Sequence, residues 1–316
     1  MIFKLFYLIL GIAILYIGAD ALVRSSVRLA QVMHIRPFII GLTIISLISS
    51  VPELCISLIS LSKHETEIML GNIIGSNIAN AALIIGVANL IRPLKPSRSI
   101  LSRDIIVMYI ATLIFFLFTL NASLNRFEGL ILLSGIILYN ISLIHSSKVK
   151  KHQSLSHIEI ARFYLKSSYN NRKCIFLATT GVIGLIYGAH LIINSAVDIA
   201  RFLGVNNLVI SISVVSFATA LPELGMAIVS SIRNQSDLLL GNIIGSNIYN
   251  LFFVTGLSVT IFPIQQLGYK IYFQLAAMII FSALILLFSN PSFRFPRAAA
   301  LLVLSAYFAF IGFLYL

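Results

Sequence analysis

The sequence predicts an all-α polytopic membrane protein of ten transmembrane helices, arranged as two inverted five-helix repeats. Three observations carry that prediction. The 316 residues are 59% apolar and 10% charged, with a mean hydropathy of +1.01, whereas soluble domains run near 45–50% apolar and about 25% charged. The apolar residues gather into segments long enough to cross a bilayer. Residues 41–80 recur as residues 211–250, at a constant offset of 170 and without a gap.

Stretches of spanning length run over 2–23, 37–61, 67–91, 105–120 and 127–144, then over 175–200, 208–232, 237–262, 269–288 and 298–316. The first has no small-residue cleavage site after a short apolar core, so it reads as a helix and not as a removed leader. The chain divides into a first repeat over 1–145, a basic linker over 146–173 and a second repeat over 174–316. Because five is odd, the second copy enters the membrane in the opposite sense from the first. Of the 22 Lys and Arg residues, all but Lys4, Lys63, Arg126, Arg201 and Lys270 fall on one side of this layout. That side is expected to be cytoplasmic. Both termini are then extracytoplasmic, the linker is cytoplasmic, and the membrane is the plasma membrane of a prokaryote. The linker reads as a basic segment for anionic lipid heads, too short for a domain of its own.

The net charge of +12 follows from this orientation rule and implies the lipid bilayer, not nucleic acid, as partner. No obligatory protein partner is implied. Cys55 and Cys174 belong to no pairing motif and read as small core residues.

Within the repeated stretch, Pro52-Glu53-Leu54 falls on Pro222-Glu223-Leu224, and the nine residues from Leu70 to Ile78 recur unchanged from Leu240 to Ile248. Close helix packing accounts for the glycines. It does not account for the glutamates, each of which costs about 2.5–3.5 kcal/mol at the middle of an apolar segment. Around the first glutamate, Ser46, Ser49, Ser50, Ser57 and Ser60 follow at three- and four-residue steps and form one polar stripe with Glu53. The second copy keeps Ser216, Thr219, Glu223 and Ser230. A lone serine satisfies itself on its own helix; a stripe centred on a glutamate asks for a ligand. Pro52 and Pro222 each remove a helical hydrogen bond one residue before the glutamate and free carbonyls upstream. A broken helix at mid-membrane is a pointer to a transporter's ion site.

On the following helix, Asn72, Ser76 and Asn80 recur at four-residue spacing, and Asn242, Ser246 and Asn250 repeat them. Inverted halves bring Glu53 and Glu223 together, flanked by Ser76, Asn80, Ser246 and Asn250. Every offered donor is an oxygen. Two carboxylates with amide, hydroxyl and carbonyl oxygens suit a hard cation, Ca²⁺ in particular, where Zn²⁺ or Cu⁺ calls for softer ligands. Two neighbouring carboxylates in a dry site cannot both stay ionised without a cation, so Ca²⁺, Na⁺ and protons compete for one place. Mutual exclusion of that kind is the basis of antiport, with Ca²⁺/H⁺ exchange as the nearest alternative to Ca²⁺/Na⁺. A passive cation channel has the same ligands without coupling. An intramembrane hydrolase is disfavoured, since the sequence has neither a GxGD-type aspartate motif nor an intramembrane arginine to hold phosphate.

The remaining polar residues read as structural. Asp20 and His190 align with each other across the repeats and are assigned to helix packing or a peripheral water path; Asp104, Asp198 and Glu128 are placed at helix ends, in the interface. Glu65, Glu67 and Asp237 begin helices, where they complement the dipole.

On SSVPEL with GNIIGSNIAN, and ATALPEL with GNIIGSNIYN, the sequence resembles the Ca²⁺/cation antiporter superfamily, specifically the prokaryotic sodium/calcium exchangers, over essentially its whole length. The resemblance implies that the second, third, seventh and eighth helices surround four adjacent cation positions while the first and sixth slide across them. It implies that Glu53 and Glu223 bind Ca²⁺ together with the carbonyls of Ser49 and Thr219. Flanking Na⁺ positions use Ser46, Ser49, Ser76 and Glu53 on one side and Ser216, Thr219, Ser246 and Glu223 on the other, with Asn80 and Asn250 at the centre. No cofactor is implied; the ions are cargo. Two departures stand out: Asn250 takes the place of a frequent aspartate and Ala220 that of a frequent serine, which bears on the Na⁺ count and on any K⁺ requirement.

Overall fold

The computed structural model describes residues 2–32, 37–94, 101–149, 171–202, 220–268, 271–287 and 295–314. Most of the 146–173 linker and the first half of the span expected over 208–232, with Ser216 and Thr219, lie outside the described residues. Ten helices are described: α1 Ile2–Val32, α2 Pro37–Ser62, α3 Thr66–Ile91, α4 Leu101–Thr119, α5 Arg126–Val149, α6 Asn171–Phe202, α7 Leu221–Ile232, α8 Ser236–Ile261, α9 Ile271–Leu286 and α10 Arg297–Leu314. Six segments, within α1, α2, α3, α5, α6 and α8, are individually long and apolar enough to cross a bilayer.

α1 runs past the expected end at residue 23, so Arg24 and Arg28 ride on its last turns and not in a loop. A helix of 31 residues is about 46 Å long, more than the roughly 30 Å hydrocarbon core, and its end projects to where arginine reaches water.

The burial pattern separates two bodies. Of the apolar stretch of α8, 94% is buried, against 22% for α6 and 28% for α1. α3 and α8 form the centre of a bundle whose core extends through Ile73, Ile78, Phe115, Ile244 and Leu275 into α4, α5, α9 and α10. α1 and α6 pair beside it around a separate, smaller core of Ala19, Leu22, Val23, Val27 and Leu185, completed by Ile45, Met226 and Val229. The pair is held by backbone-to-backbone approach. A Cβ on Gly18 would stand 2.7 Å from the Leu185 nitrogen, and one on Gly181 2.8 Å from the Leu22 nitrogen.

The two repeats turn between helices in the same way. Glu65 N–H bonds to Ser60 O at 2.8 Å and His64 N–H to Leu61 O at 3.1 Å, while Gln235 N–H bonds to Ser230 O at 2.8 Å and Asn234 N–H to Ser231 O at 3.1 Å. These are Schellman closures. His64 (φ 61°) and Asn234 (φ 59°) take the left-handed position in each. Leu124 and Ile264 exchange two backbone bonds of 2.8 Å, tying the α4–α5 loop to the α8–α9 loop.

Two structural expectations are corrected here. Asp104 is not interfacial: it is buried and accepts a 3.0 Å hydrogen bond from the Tyr139 hydroxyl, because α5 packs over the first turn of α4. Cys55 is exposed, with Val51 and Ile59, on the outward face of α2, since the polar stripe takes the inward one; Cys174 is buried as expected.

Gly18→Leu is expected to separate α1 from α6 and to destabilise the protein by at least the roughly 1–3 kcal/mol of ordinary overpacking. Thermal unfolding in detergent, read by size-exclusion fluorescence, measures it; an unchanged midpoint would contradict the packing described.

Candidate cation-binding site

The stripe on α2 is inward throughout. Ser46, Ser50, Glu53, Ser57 and Ser60 are buried and Ser49 is half-buried, while Leu47, Val51, Cys55 and Ile59 face out. α2 is interrupted at Ser50 (φ −84°, ψ −2°), and a new helical segment, Val51–Ser62, begins with Pro52 and Glu53 in its first turn. α7 begins in the same manner, after Ala220 (φ −82°, ψ −10°), with Pro222 and Glu223 in its first turn. Proline is tolerated there because the first turn has no intrahelical use for its N–H. Each glutamate therefore sits at the positive end of a half-helix, and its own backbone N–H faces its carboxylate.

Three π-helical turns flank the site, over Gly41–Ile45, Asn80–Ile84 and Tyr249–Val254. Such turns leave a carbonyl without its usual partner, and hydroxyls five residues on supply one. Ser46 Oγ donates to Gly41 O at 2.6 Å, and Thr255 Oγ1 to Asn250 O at 2.8 Å. Asn80 and Asn250 both lie in these turns. Gly41 on α2 and Gly241 and Gly245 on α8 let the two backbones cross in direct contact. Ser46 Oγ reaches Asn242 O at 3.0 Å across that crossing.

The two carboxylates are brought together. Glu53 and Glu223 are 2% and 5% exposed, and the charge of Glu223 acts directly on Glu53. Ser76 lies beside Glu53 and Ser49 beside Glu223. The Ser49 and Ser246 hydroxyls share a hydrogen bond of 3.0 Å across the repeats, and Asn80 Nδ2 donates to Asn247 Oδ1 at 2.9 Å. Asn72 Nδ2 holds the Glu53 carbonyl at 3.2 Å. Five buried oxygens of this region have no hydrogen-bond partner among the described residues: Glu53 Oε2, Glu223 Oε2, Ser50 Oγ, Ser76 Oγ and Asn250 Oδ1. Ser76 stands close enough to influence Glu53 but does not make a bond of normal geometry. Unpartnered buried oxygens are costly; a cluster of them around two carboxylates is the signature of a place for a hard cation.

A cavity of about 30 Å³ reaches this cluster, room for about two waters. Ser49, Pro52, Pro222, Glu223 and Asn242 line it on the bundle side, and Leu22, Val182, Leu185 and Ile186 close it from α1 and α6. The wall between the site and its surroundings thus belongs to the separate two-helix body.

Of the residues singled out in the sequence, Ser46, Ser49, Ser50, Glu53, Ser76, Asn80, Glu223, Ser246 and Asn250 all fall in this region; Ser216 and Thr219 lie outside the described residues. Asn247 was not singled out, although it lies in the block repeated unchanged. Asp20 was assigned to packing or a water path. It instead forms ion pairs with Arg24 at 2.7 Å and with Arg233, whose Nε donates to Asp20 Oδ1 at 2.6 Å.

The model of the family described as sodium/calcium exchanger protein matches residues 3–145 and 173–316. The chain belongs to that family. Among curated members of similar sequence, the sodium/calcium exchanger MaX1 of Methanosarcina acetivorans is 28% identical over 96% of both chains. The membrane protein MJ0091 of Methanocaldococcus jannaschii is 30% identical over 95% of this chain and 94% of its own length. The solved structure of the sodium-calcium exchanger NCX_Mj soaked without Na⁺ and Ca²⁺ superposes with a TM-score of 0.83 at 28% identity, covering 99% of each chain. The exchanger family is one of transporters, not enzymes, and its ten-helix, two-repeat fold is the one described above.

Two facing carboxylates without a cation repel each other. Glu53→Gln, which leaves a single carboxyl in the pair, is expected to raise the ion-free melting temperature by about 2–4 °C per kcal/mol of repulsion removed. A lowered midpoint in ion-free detergent would mean that the carboxylate is satisfied by protein groups alone.

Proposed function

We propose that this integral membrane protein is a secondary antiporter that exchanges Ca²⁺ for Na⁺ by alternating access. The observation that carries the reading is the pair of buried carboxylates, one at each half-helix start, ringed by oxygens without a hydrogen-bond partner among the described residues. In this reading Glu53 and Glu223 bind Ca²⁺ with the carbonyls of Ser49 and Thr219. Na⁺ occupies flanking positions formed by Ser46, Ser49, Ser76 and Glu53, and by Ser216, Thr219, Ser246 and Glu223. Asn80 and Asn250 complete the centre and Ser50 offers a further hydroxyl. The cations are substrates; the site asks for no cofactor.

The relatives support the ion pair by name: MaX1 is a sodium/calcium exchanger, and NCX_Mj a sodium-calcium exchanger studied with Na⁺, Ca²⁺ and Sr²⁺. Ca²⁺/H⁺ exchange is the second reading; Asn250 and Ala220, which stand where the resemblance has a frequent aspartate and serine, bear on the Na⁺ count and on any K⁺ requirement. The two bodies of the fold suit sliding of α1 and α6 across the site. We place the protein in a prokaryotic plasma membrane, with residues 1–145 and 174–316 as the repeats, the linker over 146–173 cytoplasmic and both termini outside.

Uptake of ⁴⁵Ca²⁺ into proteoliposomes loaded with Na⁺ is expected, with none into choline-loaded vesicles. Uptake driven only by an imposed pH gradient would replace Na⁺ by H⁺; equal uptake with no counter-ion would make the protein a channel. Glu53→Gln and Glu223→Gln each remove half the formal charge offered to Ca²⁺. Each is expected to weaken binding by about 2–5 kcal/mol, the range for truncating one partner of a buried charge pair, and to abolish uptake at micromolar Ca²⁺. Calorimetric titration of the purified variants reads the loss; wild-type affinity in either would remove that glutamate from the site.

A further inference from the structure

We infer that Asp20 and Arg233 form a latch that holds the arginine-rich end of the molecule closed, and that the other repeat lacks its counterpart. The inference rests on the proposed sliding of α1 and α6. These helices move as one body in that reading: they interlock at Gly18 and Gly181, and Lys4 Nζ lies 3.8 Å from Asp198 Oδ2 at their far end. Arg233 belongs to the bundle. It closes the C-terminus of α7, in the Schellman turn that leads directly into the buried α8. Its contact with Asp20 therefore crosses from the sliding body to the fixed one. Asp20 and Arg233 are only 17% and 23% exposed, so the pair is shielded from solvent more than a surface ion pair is.

Arg24 makes the latch reversible. It sits one turn along α1 from Asp20, on the same body, and pairs with it at 2.7 Å. When Asp20 leaves Arg233 it keeps that cation, so opening does not strand a bare carboxylate.

The repeat offset of 170 places His190 where the first repeat has Asp20, Asn194 where it has Arg24, and Lys63 where the second has Arg233. The aligned positions at the other end therefore carry a histidine and a lysine in place of the carboxylate and the arginine. His190 shares a 2.9 Å hydrogen bond with Asn194, and among the described residues neither His190 nor Lys63 forms an ion pair. The packing is asymmetric in the same sense. α1 lies along α7, whereas α6 scarcely touches Val51–Ser62, the equivalent segment of α2. Inversion of the repeats exchanges these contacts when the body slides. One end state is then latched by an ion pair and the other is not, so the ion-free protein rests with its arginine-rich end closed.

The test is a distance measurement between spin labels at Ile59→Cys and Tyr187→Cys, both exposed positions, in full-length protein carrying Cys55→Ala and Cys174→Ala and reconstituted in liposomes. The ion-free protein is expected to show one dominant long distance. Arg233→Gln is expected to enrich a second, shorter distance about threefold to fivefold, the range of a weakly exposed ion pair, with Arg233→Lys close to wild type. His190→Asp, which sets a carboxylate against Lys63, is expected to enrich the same short distance with Arg233 intact. If both variants keep the wild-type ratio while Na⁺ and Ca²⁺ still shift it, the latch is overturned and sliding stands. A single distance in every variant and every ion condition overturns sliding itself, and the latch with it.

Discussion

Two carboxylates facing each other in a dry interior are the constraint on which the rest of this structure depends. Placing Glu53 and Glu223 at 2% and 5% exposure removes their hydration, and their mutual repulsion is only weakly screened there. The protein offsets part of this with two half-helix N-termini aimed at the charges and leaves the remainder open. Ser50, Ser76 and Asn250 contribute further buried oxygens without a hydrogen-bond partner among the described residues, which a cation can take up. The prolines, the π turns and the glycine crossing of α2 and α8 are means of bringing those oxygens to one place. Each breaks a rule of regular helix building, and each is tolerated because Gly41, Ser46, Ser50, Asn80 and Asn250 at the breaks are buried on the bundle side.

Much of this was legible in the sequence because it is written twice. Ten helices follow from hydropathy, and inversion follows from an odd number per half. The glutamates stand out because an identical block keeps them where a charge is expensive. What stayed hidden has physical reasons. A π turn inserts a residue without altering hydropathy, so 41–45, 80–84 and 249–254 read as ordinary helix. Asp104 lies at the end of an apolar run, the usual place for an interfacial acid. Only the tertiary fold brings Tyr139 over it. Asp20 and Arg233 are 213 residues apart, one inside a helix and one in a turn, and local periodicity does not connect them.

The repeats agree along α3 and α8 and differ where the bodies meet. The nine residues from Leu70 are identical to those from Leu240, whereas Asp20 faces His190 and Arg233 faces Lys63 in the alignment. Identity along the central helices gives the two halves the same framework around the glutamates. Divergence at the rim sets which side is open when no ion is bound. Inverted symmetry thus supplies two end states of nearly equal construction, and a few rim charges decide their relative population.

The same constraint explains why such a site couples two fluxes and does not leak. In the proposed sliding, α1 and α6 carry Leu22, Val182, Leu185 and Ile186, which line the cavity at the site, across its mouth, and these side chains offer no hydrogen bond to a charge beneath them. An empty site leaves two carboxyl groups buried side by side, a cost that the wall's passage does nothing to offset. With Ca²⁺ between them, or with Na⁺ in the flanking positions, the formal charge is neutralised and the apolar wall passes over a satisfied cluster. In the proposed exchange the neutralised site crosses readily and the empty one slowly, so return requires the competing ion. Because Asn250 is neutral, Glu53 and Glu223 set nearly all of the formal charge that cations in the proposed site must balance.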